Sequence, residues 1–133
     1  MNIQEDYVSF ETAKLLKEKG FEGYSILIIY DENAANAYIK ELQEKHLPYS
    51  SDDPKLKEFY YTQPTLQMAM KWLREVHNIF ISIVFCTYPT EKKVTWTPEI
   101  STFDSVFPES AIEYNSYEEA AEASIKYCLE NLI

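Results

Sequence analysis

The sequence is short of glycine, cysteine, histidine and positive charge. Its 133 residues include two Gly, two Cys and two His. Gly20 and Gly23 are the only glycines, which excludes a Walker loop and a dinucleotide-binding turn. Both need several glycines to bring backbone N–H groups onto phosphate. Cys86 and Cys128 make no disulfide framework; each falls at an apolar position, and both are expected as buried, reduced thiols. His46 and His77 lack the four-residue spacing, with Glu following the first, of a zinc-protease helix. A metal site from His77, Cys86 and a carboxylate has no ligand-pair spacing behind it. Cys86 within an apolar strand reads as an inert thiol rather than a nucleophile with His77 as base. Acidic pairs such as Glu118 with Glu122, or Asp52 with Asp53, read as a solvated face and a loop, and Ser50-Ser51 lacks the glycines of a nucleophile elbow. No catalytic residue, cofactor site or metal ligand is assigned, and the chain is not expected to be an enzyme. No apolar run approaches the roughly 20 residues of a membrane-crossing helix. The opening Met-Asn-Ile-Gln-Glu-Asp is polar and acidic, unlike a signal peptide. A cytoplasmic protein is expected.

Acidic side chains dominate instead: 22 Asp and Glu against 12 Lys and Arg, a net charge of −10. The excess is uneven. Residues 1–63 net −5, residues 64–100 net +1 and residues 101–133 net −6. Acidic flanks around a nearly neutral centre argue against direct nucleic-acid binding, which needs a basic face for phosphate. They argue equally against an anionic membrane surface. Aromatic residues reach 15%, eleven of them Tyr, enough to supply both core and contact surface.

The neutral centre is also the most apolar part. Leu66, Ala69, Met70, Leu73 and Val76 recur at three- and four-residue steps, so a helix from Pro64 to His77 should bury that stripe, with Trp72 at its edge and Lys71, Arg74 and Glu75 facing away. Pro64 suits the first helical position, with Gln63 or Thr65 as cap, and Asn78 suits the left-handed residue that ends the helix. From Ile79 the period becomes two. Ile79, Ile81, Ile83 and Phe85 point one way; Phe80, Ser82, Val84 and Cys86 point the other. Both sets are largely apolar, which predicts a central strand covered on both faces. Leu73→Ala and Ile81→Ala should each cost about 2–5 kcal/mol.

Around this unit the expected elements run as follows. Ser9 caps a helix along Phe10, Ala13 and Leu16, and Gly20 with Phe21 closes it. Tyr24 to Tyr30 is a strand. Asn33 caps a helix to about His46. Residues 47–63 are loop by composition, ending in Phe59-Tyr60-Tyr61, which is either a short strand or a packed loop. Pro89-Thr90-Glu91 turns the chain into a strand over 93–97 that Pro98 ends, with Val94 and Trp96 on the buried side. Residues 99–115 are irregular, anchored by Phe103, Val106, Phe107 and Ile112. Ser116-Tyr-Glu-Glu119 is a capping box that starts a last helix, with Glu118, Glu119, Glu122 and Lys126 in water. The sum is a single α+β domain over residues 1–133: a small three-stranded, mainly antiparallel sheet (24–30, 79–88, 93–97) packed with three or four helices.

The long loop and its aromatic end make Phe59, Tyr60 and Tyr61, together with Arg74 and Glu75, the candidate contact surface. The plainer alternatives are rings packed into the core and a wet helix face. Three segments carry a resemblance: Ser9-Phe-Glu-Thr-Ala-Lys-Leu-Leu-Lys-Glu-Lys-Gly-Phe21; Pro64-Thr65-Leu66 with Trp72-Leu73-Arg74-Glu75; and Tyr117-Glu118-Glu119-Ala120 with the closing Ala-Ser-Ile-Lys-Tyr-Cys-Leu. Together they resemble small phage- and prophage-related proteins of Bacteroides-type gut bacteria. The resemblance covers most of the chain apart from residues 31–62, a segment longer here than in that family. It implies no activity and no site residue, only a setting: an accessory protein of a phage or other mobile element. The function expected is protein–protein contact with an unidentified protein partner. The alternatives are an acidic DNA mimic that inhibits a host nucleic-acid-binding protein, or a small enzyme without a recognisable motif. The protein is expected as a monomer, or as a homodimer through an edge strand carrying Trp96.

Overall fold

The computed structural model describes residues 2–23, 27–107 and 112–133. Helix α1 (Phe10–Glu18) begins where Ser9 accepts a bond from the Thr12 N–H. It ends in a Schellman turn: Gly20 takes φ +90°, its N–H reaches the Lys17 carbonyl, and the Phe21 N–H reaches Leu16. The left-handed angle is what demands glycine at position 20.

Strand β1 (Ile28–Tyr30) is the described part of the strand expected over 24–30; residues 24–26 lie outside the described residues. Helix α2 (Glu32–Glu44) follows, capped by Asp31 through the Ala34 N–H rather than by Asn33. The cap falls two residues earlier because the aspartate leaves the strand already placed to accept that bond. A 3-10 helix (Pro54–Phe59) capped by Asp53 leads into β2 (Tyr60–Thr62). Helix α3 (Leu66–His77) is capped by Thr65, which places Pro64 just before the cap and not at the first helical position. Asn78 at φ 54° turns the chain into β3 (Phe80–Tyr88), and the Ile79 N–H returns to the Leu73 carbonyl. A Pro89–Lys92 turn then gives β4 (Lys93–Ser101). Helix α4 (Tyr117–Asn131) opens with Ser116 accepting from the Glu119 N–H, as the capping box predicts.

The architecture is α+β, but the expected three-stranded sheet does not occur among the described residues. There are two separate two-stranded antiparallel sheets, β1–β2 and β3–β4. β1 takes the aromatic segment as its partner, Tyr30 against Tyr60 and Ile28 against Thr62. Further bonds extend that ladder from Asp31 N–H to Phe59 and from Gln63 N–H to Leu27. Once β1 and β2 satisfy each other, no strand is left for the β3–β4 hairpin among the described residues.

The core is made by helices and one face of the hairpin. Leu16, Leu73, Ile100, Ile125, Cys128 and Leu129 are fully or almost fully buried, with Val8, Ala69, Met70, Ile79 and Ala121. The N-terminal segment joins this core by pairing with the entry to α3: the Val8 N–H reaches Pro64 and the Leu66 N–H reaches Asp6. Polar composition hid that pairing from the sequence.

Five further expectations change. Val94 is exposed on β4, and the neighbouring Thr95 on the opposite face is buried instead. β3 is not covered on both faces: Ile81 and Ile83 are half-buried, while Val84, Phe85 and Cys86 are exposed. Val76 is exposed on α3, because α3's buried stripe stops at Leu73. Pro98 does not end β4 but pairs with Ile83 inside it. The Trp96 N–H points away from β3, to the Tyr114 carbonyl, and position 98 shares its parity, so the hairpin loses no ladder bond to the proline. Of the anchors expected beyond β4, only Phe107 packs on the core; Phe103, Val106 and Ile112 are exposed.

Candidate functional site

The aromatic run Phe59–Tyr61 sits where three elements meet. Period two puts Tyr61 on the inner face of the β1–β2 sheet with Ile29, and Tyr60 on the outer face with Tyr30 and Ile28. Tyr61 is held from below by α1. The Phe10 ring meets it edge-on with centroids 5.5 Å apart, and the Lys17 ammonium lies 4.5 Å from its ring centre. The same Lys17 Nζ donates to the carbonyls of Glu58 (2.7 Å) and Tyr60 (2.9 Å), fixing β2 to α1. Lys17 thus performs two tasks beyond the helix-dipole role that its place in the last turn suggests.

Phe59 closes the 3-10 helix and lies 6.1 Å from the Tyr38 ring of α2. The Tyr38 hydroxyl donates to Asp53 Oδ2 at 2.8 Å, and the Lys55 ammonium lies 5.0 Å from the Tyr38 ring centre. Asp53 also accepts from the Lys55 N–H at 2.9 Å. These contacts shift both groups. The Lys55 N–H, then the Tyr38 hydroxyl, hold the Asp53 carboxyl below its usual range, and the bond to Asp53 pushes the Tyr38 phenol above its own. The loop over 47–63 is therefore tied down at Asp53 rather than structureless.

What remains uncovered is the outer face of the small sheet. Tyr30 and Tyr60 stack on each other with centroids 4.6 Å apart, yet Tyr60 is 50% exposed and neighbouring Ile28 is 61% exposed. Leu47 and Tyr49, from the segment after α2, are exposed as well. Helix α2, which packs on the 3-10 helix, displays Glu32, Glu41 and Glu44 to solvent, and Glu41 pairs with Lys45 at 2.8 Å.

Arg74 and Glu75 lie on the solvent side of α3. The Arg74 Nε stands 3.6 Å from Glu75 Oε1, with both side chains about half exposed or more. An exposed pair of this kind contributes little, about 0–1 kcal/mol. Among the described residues, no hydrogen bond, ion pair or ring contact joins Arg74 or Glu75 to Phe59, Tyr60 or Tyr61. The five residues grouped from sequence thus divide between two places.

The sequence reading missed Ile28, Tyr30 and Glu122. Alternation in β1, set beside Tyr60, is the signal that would have found the first two. Glu122 is not on a wet face. Its Oε1 accepts from the Ser9 N–H (3.1 Å) and from the Thr12 hydroxyl (2.6 Å), so a carboxylate of α4 sits at the N-terminal end of α1, where the helix dipole favours negative charge. This is a structural tie between α1 and α4.

Compared with known proteins, the chain matches no family model, no curated protein and no solved structure. Two further geometric facts bear on chemistry. No cluster of three or more His, Cys, Asp and Glu side chains that could hold a metal ion occurs among the described residues. A cleft of about 290 Å³ opens between the N-terminal segment and the starts of α3 and α4, lined by Asp6, Leu66, Gln67, Tyr117 and Glu118 among others. At its wall the Gln67 amide donates to the Tyr117 hydroxyl at 2.8 Å. No helix is long and apolar enough to cross a membrane among the described residues.

Proposed function

We propose that this protein is a cytoplasmic accessory module of a phage or other mobile element, acting by protein–protein contact through the outer face of the β1–β2 sheet. One observation carries the reading: Ile28, Tyr30 and Tyr60 form an exposed apolar and aromatic face on a sheet whose inner face is firmly anchored by Phe10 and Lys17. Tyrosine supplies large contact area at low entropic cost, and exposed apolar patches on small proteins mark interaction sites. The phage setting rests on the resemblance in α1, α3 and α4. Residues 1–63, which carry this face, net −5, and that charge favours a partner with basic residues around an apolar centre.

A second reading is favoured by charge alone. A chain at −10, with −5 and −6 in its flanks, is suited to compete for a phosphate-binding surface as a DNA mimic. Salt separates the two. Affinity capture of the tagged protein from host lysate is expected to recover one partner in near-equal amount that persists in high salt. A partner released by high salt overturns the apolar reading in favour of the decoy, and recovery of no partner overturns both.

A further inference from the structure

We infer that β3 pairs with β3 of a second copy of this chain, making an antiparallel four-stranded sheet across a two-fold axis at Val84. The inference concerns a different surface from the β1–β2 face and stands independently of it.

The starting point is a conflict between sequence and structure. Phe80-Ile-Ser-Ile-Val-Phe-Cys-Thr-Tyr88 has the two-sided apolar character of a central strand. Among the described residues of the single chain it is an edge, paired on one side only. Its outward backbone groups can be assigned. Trp96 exchanges both its N–H and its carbonyl with Tyr114, so they face away from β3. Phe85, opposite Trp96, therefore turns its own N–H and carbonyl to the free side. Alternation adds Ile81, Ile83 and Thr87, opposite Ile100, Pro98 and Val94. Two details agree: Ile100 spends its carbonyl on the Phe107 N–H, and Pro98 has no N–H to offer. Among the described residues, none of the four outward N–H and carbonyl pairs has a backbone partner.

Natural edges are blunted by charge, proline, bulges or short length. β3 has none of these. It is nine residues long, uncharged, free of proline, and paired with β4 without a bulge. The β4 edge is managed differently, by Pro98 and by the returning segment at Val106–Phe107 and Tyr114. A two-stranded hairpin is also marginal alone; three or more strands are the usual minimum for a stable sheet.

A second copy fits because the strand is complementary to itself. With Val84 on the axis, Ile81 faces Thr87 of the second copy and Ile83 faces its Phe85, so the four outward residues of each strand meet the four of the other and every donor finds an acceptor. On one face Ile83 gains an aromatic neighbour in Phe85, which is 63% exposed in the single chain. On the other face Phe80 meets Tyr88, Ser82 meets Cys86, and Val84 meets Val84. No charge is buried. Residues 64–100, at +1, are also the part of this acidic chain where repulsion between two copies is weakest.

The test combines sedimentation velocity with a register-specific cross-link. The wild-type chain is expected to sediment as two chains across a wide concentration range, and Phe85→Lys and Thr87→Pro each as one, with the far-ultraviolet circular dichroism of the wild type retained. Both positions are exposed, and Thr87→Pro removes only an outward N–H. In a Cys86→Ser background, Val84→Cys should form a disulfide dimer on mild oxidation. The Cα atoms of a non-hydrogen-bonded antiparallel pair lie about 4.5 Å apart, within disulfide reach. A wild-type monomer, a dimer that survives both edge variants, or a Val84→Cys chain that stays reduced would each overturn the inference.

Discussion

Thiol chemistry separates the two cysteines at the scale of single residues. Cys128 is fully buried on α4, and desolvation pushes its thiol up to about 12. Cys86 is exposed on β3. A thiol reagent added to native protein at neutral pH should therefore label Cys86 alone, with Cys128 reacting only after denaturation. Labelling of both at one rate would show that α4 does not pack as described. Burial likewise splits two substitutions that the sequence treats alike. Leu73 is fully buried, so Leu73→Ala should cost about 2–5 kcal/mol. Ile81 is only half-buried, so Ile81→Ala should cost clearly less than Leu73→Ala in a denaturant titration. Equal costs would mean that β3 is covered in the single chain. For Glu122→Ala the expected loss is about 1.5–3 kcal/mol, since it removes a charged acceptor from the buried Thr12 hydroxyl and leaves the exposed Ser9 N–H to water. Glu122→Gln, which keeps an acceptor oxygen, should lose less; equal stability of all three chains would remove the α1–α4 tie from the account.

At the scale of elements, the tie between α2 and the 3-10 helix has a pH window. Asp53 is held below its ordinary range, so its contribution is complete above that range and is lost as pH falls through the lowered value. Tyr38 is held above its ordinary range, so its contribution is complete below that range and is lost as pH rises through the raised value. Tyr38→Phe should therefore remove the Tyr38 contribution to the alkaline limb of a plot of melting temperature against pH and reduce the acid limb only in part, because the Lys55 N–H still holds Asp53. An unchanged profile would show that this bond does not hold the segment. The same elements show what sequence can and cannot carry. Caps and periods are local, which is why Ser9, Gly20, Asn78 and Ser116 mark their helix ends correctly. Pairing is not local. Nothing within Ile28–Tyr30 says that its partner is Tyr60–Thr62 rather than β3, and apolar alternation in β3 carries no record of which face a neighbour covers. Phe59–Tyr61 stood out by composition, but their exposed companions Ile28 and Tyr30 lie a helix away in the chain.

At the scale of the whole molecule, charge and apolar surface are segregated. The flanks carry the negative charge, the core is shared by α1, α3, α4 and one face of the hairpin, β3 is an unguarded edge among the described residues, and the outer β1–β2 face is an exposed apolar and aromatic surface. The proposed contact through the outer β1–β2 face rests on this surface. The measurement that tests it most directly compares the wild type with a Tyr30→Ser, Tyr60→Ser double variant in affinity capture, both shown to share one circular dichroism spectrum. The variant is expected to lose the salt-resistant partner. Recovery of that partner in equal amount by both chains would contradict it, because the aromatic face would then have no part in binding.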